Sequence, residues 1–206
     1  MFKNLSQSGD WIIYTTAIDG SSDYLKLNAT DAATSGVSPW STAPTNSVIT
    51  VGTNNVDTCN DGDNYVMYAW HNVPGLQKFG SYVATGGNTG PVINCGFRPR
   101  LVMVKRSSSG DAYTSWSMFD TERDPYNAQN RVSGALYANK NAPENRRGNA
   151  STEEGYESIN VHLLSYGFQL MYNGGEINGP SETTYIYAAW AEAPASNLFG
   201  GQSNAR

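Results

Sequence analysis

With 206 residues, a formal charge of −5 and a pI near 4.9, the chain repels a phosphate backbone, and its 13 Lys and Arg never gather into a stripe, so nucleic acid is not an expected partner. Only 15% of residues are Asp, Glu, Lys or Arg, while 12% are aromatic and 21 are Gly, which excludes a disordered or helix-rich chain and leaves a β-leaning globular one. No apolar run reaches the roughly 18 residues of a membrane helix, and residues 1–4 lack the apolar core of a signal peptide, so neither membrane insertion nor Sec export is expected.

In chain order, the first expected strand follows Lys3, a Ser-rich turn and Gly9-Asp10, and comprises Trp11, Ile12, Ile13 and Tyr14. Asp19-Gly20 supplies a turn, and residues 25–28 a second strand. Trp40 then stands in a loop-like, Pro-bounded stretch, 37–44, either as an exposed platform for a sugar ring or a partner, or as a plug over the end of a core. Another run spans 48–51. Residues 57–63 touch on a calcium loop through Asp57, Asp61 and Asp63, but Cys59 sits at a ligand position and Tyr68 where a bidentate Glu is required, so the signal is weak. Asp61-Gly62 reads as a turn, and residues 65–73 as a strand.

The continuous apolar run of residues 101–105 predicts a strand covered on both faces. Residues 116–119 give a further strand, followed by the loop 121–127, in which Arg123, Asp124, Tyr126 and Asn127 could bond and stack against a glycan or anchor a subunit; the alternative is a self-satisfied turn with Arg123 paired to Asp124 or Glu122. Residues 158–165 are the one amphipathic stretch with a helical option. Cys59 and Cys95 are too few for a disulfide scaffold or a zinc site and read as small buried or half-buried residues, with a single bridge between them as the alternative.

Residues 65–74 align without gaps on 185–194, matching Tyr65, Ala69, Trp70 and Pro74 to Tyr185, Ala189, Trp190 and Pro194, and the offset of 120 continues to Phe79-Gly80 and Phe199-Gly200. Upstream, Lys3 answers Lys105, residues 11–14 answer 116–119, 25–28 answer 136–139, and Val56 answers Ile177. The expected fold is therefore all-β, two tandem diverged copies of an antiparallel sandwich module of the jelly-roll or concanavalin kind, with about six or seven strands in a complete copy and a barrel as the alternative. The copies divide at 1–78 and 79–206, the first lacking its opening strands. Its missing edge would be covered by residues 80–95 or by a neighbouring subunit, or the chain is a C-terminal piece of a longer repeat protein; an uncovered edge invites a homo-oligomer. Trp11, Trp70, Trp116 and Trp190 hold equivalent places and are expected in the core.

The turn at residues 96–99 leading into a Val-rich strand, the Trp116 to Asn127 stretch, the Leu163 to Leu170 segment and residues 185–194 resemble a tandem module at the C-termini of tail-fibre-like and other virion proteins of marine tailed phages. The resemblance covers nearly the whole chain and is closer in the second copy. It implies a virion structural role, with other virion proteins as partners and a host surface glycan as a further one, and it carries no catalytic residue or cofactor. His71 and His162 are the two histidines, His71 is answered by Ala191, and Glu153-Glu154 lie in a polar loop, so no shared catalytic constellation is legible and a non-enzyme is expected. A carbohydrate-binding module without catalysis is the alternative.

Overall fold

The computed structural model describes residues 1–18, 23–34, 39–53, 55–108, 114–123, 131–142, 160–171, 174–191, 195–196 and 202–203. All regular structure in them is β. The strands are β1 (Phe2–Asn4), β2 (Ile12–Tyr14), β3 (Tyr24–Lys26), β4 (Tyr65–Met67), β5 (Gln77–Val83), β6 (Val92–Asn94), β7 (Pro99–Arg106), β8 (Ser117–Asp120), β9 (Arg131–Ser133), β10 (Leu136–Tyr137), β11 (Asn160–Leu164), β12 (Gly167–Leu170), β13 (Thr184–Ala191), β14 (Ala195–Ser196) and β15 (Gln202–Ser203). They form antiparallel sheets ordered β3-β2-β1-β4, β10-β8-β7-β13-β5 and β6-β12-β11-β9, with β14 and β15 as a separate pair. Among the described residues no helix is long and apolar enough to cross a membrane.

The central strands come from side chains that suit a pleat buried on both faces. In β7, Val102 and Val104 point to one side, where they are fully buried with Phe119, Tyr185, Tyr187 and Ala189 of their own sheet and Val161, Leu163, Phe168 and Leu170 of the facing sheet β6-β12-β11-β9. This is a β-sandwich core. Met103, on the opposite side of β7, packs instead with Leu25, Trp116 and Ile186 in a second apolar layer, which also takes Ile13 and Leu27 from the first half of the chain. The turn that feeds β7 relies on Gly96, whose φ of +78° favours a residue without Cβ, and Phe97 then drops into the core at 2% exposure.

Residues 160–164 are strand, not helix. Val161 and Leu163 are buried while His162 and Leu164 are half-buried, a period of two, and the run closes a hairpin on β12 with Val161 opposite Leu170 and Leu164 opposite Gly167. Pairing along its whole length outweighs a short amphipathic pattern. Gly167 is required there by close approach, since a Cβ would meet the Ile93 carbonyl oxygen of β6.

The arrays β3-β2-β1-β4 and β10-β8-β7-β13 use the same partners position by position. Lys3 lies opposite Val66 as Lys105 lies opposite Ile186, Phe2 opposite Ile12 as Val104 opposite Ser117, and Ile13 opposite Leu25 as Met118 opposite Leu136. The Asn28 side-chain oxygen accepts the Trp11 N–H at 2.9 Å, and that of Asn139 accepts the Trp116 N–H at 2.8 Å. The Tyr65 hydroxyl accepts the Asn60 N–H and donates to the Val56 carbonyl; the Tyr185 hydroxyl accepts the Gly179 N–H and donates to the Gly175 carbonyl.

The arrays differ in what surrounds them. The second carries a fifth strand, β5, on the free side of β13, and forms a two-sheet sandwich. Over the inner face of the first, the described residues hold loops and an isolated bridge between Trp40 and Val51. Residues 80–95 do not cover the first array's edge, because β5 is drawn onto β13 and β6 onto β12.

Candidate interaction site

Trp40 is a core residue and not an exposed platform. It is 1% exposed, with its ring edge-on to Phe2 at 5.0 Å and Tyr14 at 5.5 Å, and Pro39 before it accepts the Gly52 N–H at 2.9 Å. The physical reason is volume, since one large ring and its loop fill the space over Phe2 and Ile12 where the second array has the strands β11 and β12.

Arg123 closes its own turn. Its Nε and the Asp120 carboxylate form a short ion pair, its Nη2 donates to the Met118 carbonyl at 3.1 Å, and Asp120 Oδ1 accepts the main-chain N–H groups of Glu122 and Arg123, each at 3.0 Å. Burial raises the Asp120 pKa, but hydrogen bonds and charge from Arg123 outweigh it and hold the carboxyl below its usual range. Glu122 reaches instead across to Arg100 of β7 at 2.9 Å. Among the described residues the local pair is Arg123 with Asp120 and not Glu122, and the pairing with Asp124 that the sequence also offered falls outside them. Asp124, Tyr126 and Asn127 lie outside the described residues.

Two of the three carboxylates in the calcium-like loop, Asp57 and Asp63, accept from N–H groups of the chain. Asp57 Oδ1 accepts the Asp10 N–H at 2.7 Å, and the Asp63 carboxylate accepts from Asn4, Gln7 and Asn60. These hydrogen bonds, Gln7 first, lower the Asp63 pKa. Asp61 is exposed and, with Asp63, lines a shallow surface depression beside Gly52 and Tyr65. Among the described residues no three His, Cys, Asp or Glu side chains come together as a metal-holding group. Cys59 and Cys95 are both free thiols in separate halves, and burial pushes Cys95 up to about 11.

The expectation of four core tryptophans holds fully for Trp116 alone, which is 4% exposed and donates its indole N–H to the Lys26 carbonyl at 2.8 Å. Trp11 and Trp190 are half-buried, and Trp70 is 48% exposed. The cause is strand alternation. Tyr185, Tyr187 and Ala189 take the inner face of β13, so Ile186, Ala188 and Trp190 take the outer face, and Val66, Tyr68 and Trp70 occupy the corresponding side of the first array. Trp190 is covered edge-on by Phe79 of β5 at 5.6 Å. Among the described residues no strand stands beside β4 to do the same for Trp70.

The result is the largest concentration of exposed apolar groups along one described strand and its continuation: Met67 at 48%, Tyr68 at 45% and Trp70, with the last two rings stacked at 6.0 Å and 16° between planes. Among the described residues no strand pairs with the main chain on that side either. Asn64 accepts from Leu5 and Tyr68 donates to Met1, so residues 64, 66 and 68 direct their main-chain groups to β1, and by alternation Tyr65, Met67 and Ala69 direct theirs outward. A row of outward N–H and C=O groups flanked by aromatics can accept an extended peptide as an added strand, and the stacked rings present flat apolar faces. Sequence reasoning missed this site because it read the Trp70–Trp190 equivalence as equal burial. The signal lay in Phe79, which serves only one of the two.

Residues 1–194 match the family model described as a domain of unknown function, DUF7483. No curated protein and no solved structure matches the chain.

Proposed function

We propose, on the premise that this chain belongs to the DUF7483 family, that it is a non-catalytic structural protein of a tailed-phage virion, a tail-fibre, head-fibre or decoration component made of two diverged copies of one β module. The observation that carries the reading is the coincidence of sequence correspondence with strand register: the residues that answer one another along the chain also occupy the same ladder positions, down to the Asn28 and Asn139 side-chain bonds. Repeated rigid modules that expose loops and a bonding edge suit assembly and display. Of the sequence-nominated polar groups, Arg123, Asp57 and Asp63 are engaged in hydrogen bonds within the chain, which suits a scaffold better than an active site. On this reading the partners are other virion proteins, further copies of the chain and a host surface glycan, and the place of action is the particle.

Immunogold labelling of purified virions in negative stain tests the proposal. Label at a fixed position on tail or capsid is the expected result, and particles that carry none of the protein defeat the reading.

A carbohydrate-binding module is the second reading, and its basis moves from Trp40 to the stacked Tyr68 and Trp70 rings. A glycan array supports it only if a bound glycan is lost on Trp70→Ala.

A further inference from the structure

We propose that the open edge of β4 is completed by residues 197–203 of a second copy of this chain, added antiparallel in the register that β5 takes on β13. The inference deepens the assembly part of the reading above by naming both surfaces of the contact, and it rests on the module equivalence stated there.

The template is internal. In β5, Phe79 lies opposite Ala188, Gly80 opposite Tyr187 and Gln77 opposite Trp190. Two features of that pairing are demanding. Phe79 covers Trp190 from the diagonal position on the outer face, and Gly80 must lack a Cβ because one there would come within 2.8 Å of the Tyr187 hydroxyl oxygen and 2.9 Å of its ring. Both residues recur in the chain at the same offset, as Phe199 and Gly200, with Asn197 for Gln77 and Pro194 for Pro74. The strand they would pair with recurs too, with Tyr68 for Ala188, Met67 for Tyr187 and Trp70 for Trp190.

β5 follows β4 in sequence but adds itself to β13, so the segment after one module closes the edge of the next. Residues 197–203 correspond to 77–83 at the same offset of 120 that relates 65–70 to 185–190, so the β5–β13 register fits them to the β4 edge of another copy. Phe199 would then lie opposite Tyr68 and cover Trp70, Gly200 would lie opposite Met67, and the outward main-chain groups of Tyr65, Met67 and Ala69 would gain partners. In the single chain, Gln202–Ser203 make a ladder of two residue pairs with Ala195–Ser196, against seven for β5 on β13, so the exchange gains main-chain pairing. Donor and acceptor are different surfaces, so the contact is head-to-tail and propagates into rows or closes into a ring.

Sedimentation velocity of the full chain across a concentration series tests this. Concentration-dependent association is expected, weakened about tenfold or more by Phe199→Asp and, separately, by Met67→Pro, while Tyr166→Ser at an exposed site elsewhere leaves it unchanged. Met67→Pro removes an outward N–H only, and far-UV circular dichroism with a thermal melt verifies that each variant stays folded. In a Cys59→Ser background, Tyr68→Cys combined with Phe199→Cys is expected to cross-link between chains under mild oxidant, because the equivalent pair Ala188 and Phe79 is directly opposed. A chain that remains monomeric at high concentration, or that associates with no response to Phe199→Asp and no cross-link, overturns the proposal. So does loss of glycan binding in Trp70→Ala with association intact, since that assigns the surface to a sugar. Virion labelling reads a different property, so either proposal can fail alone.

Discussion

Glu176 shows how a single buried group can be held against its own solvation. It is 8% exposed, accepts the Tyr137 hydroxyl at 2.8 Å and lies 3.6 Å from the Lys140 amino group. Burial raises its pKa above the ordinary 4.5, and the bond from Tyr137 and the charge of Lys140 oppose that only in part. A carboxyl whose folded pKa exceeds its unfolded one supports folding most fully below the unfolded value, and that support is lost as pH rises through the folded pKa. Glu176→Gln keeps an acceptor for Tyr137 and removes the buried charge. Its urea midpoint is expected to equal that of the native chain below about pH 4 and to exceed it increasingly above pH 4.5, reaching a constant gap once Glu176 is ionised. Equal midpoints at neutral pH would show that Lys140 fully offsets the burial. Trp40 carries the complementary lesson at this scale. A lone aromatic between prolines reads from sequence as either platform or plug, and what decides is the sparse cover over Phe2 and Ile12, which no local pattern records.

Strands were legible where their pattern is local and their partners lie close in sequence. The runs 11–14, 65–73, 101–105 and 116–119 each contain a strand, and the continuous apolar run of β7 is indeed covered on both faces. Residues 158–165 were not, because a five-residue strand and one turn of amphipathic helix bury the same residue types, and only pairing with β12 separates them. The exposure of Tyr68 and Trp70 was not legible, since it depends on which strand comes alongside β4. The Asn residues that follow β3 and β10 test the equivalence of these elements energetically. Each receives the N–H of the Trp that precedes β2 or β8, but Trp116 is buried and Trp11 is half-buried. Asn139→Ala is expected to cost about 1–3 kcal/mol and Asn28→Ala about 0.5–1.5 kcal/mol by chemical denaturation, because the N–H left behind is desolvated only in the second array. A larger loss at Asn28 would contradict this ordering.

Across the whole molecule, the two arrays meet through an apolar layer and a polar clamp. Leu25, Ile13 and Leu27 from the first pack on Trp116, Ile186 and Met103 from the second. Beside them the Lys105 side chain is fully buried, and its amino group donates to the carbonyls of Thr30 at 3.1 Å, Asp31 at 2.9 Å and its neighbour Arg106 at 2.7 Å; Thr114 donates to the Thr30 carbonyl as well. Lys3, at the matching place in the first array, is half-buried and bonds the Asn4 carbonyl. Lys105→Met retains the stem volume and removes the donors. It is expected to lower stability by about 1–3 kcal/mol with a single unfolding transition preserved, since the apolar layer still joins the halves. Two resolved transitions would place the cohesion between the halves in the lysine instead.

That clamp is indifferent to the letters it grips. Lys105 takes hold of peptide oxygens at positions 30 and 31, so any amino acids there present the same two acceptors, while a single deletion shortening the stretch between Tyr24 and Ala33 would carry both oxygens out of reach. Relatives of this chain should therefore drift freely in composition along that loop yet keep its length, with a lysine held 75 residues downstream as the conserved half of a bond whose other half leaves no trace in an alignment column.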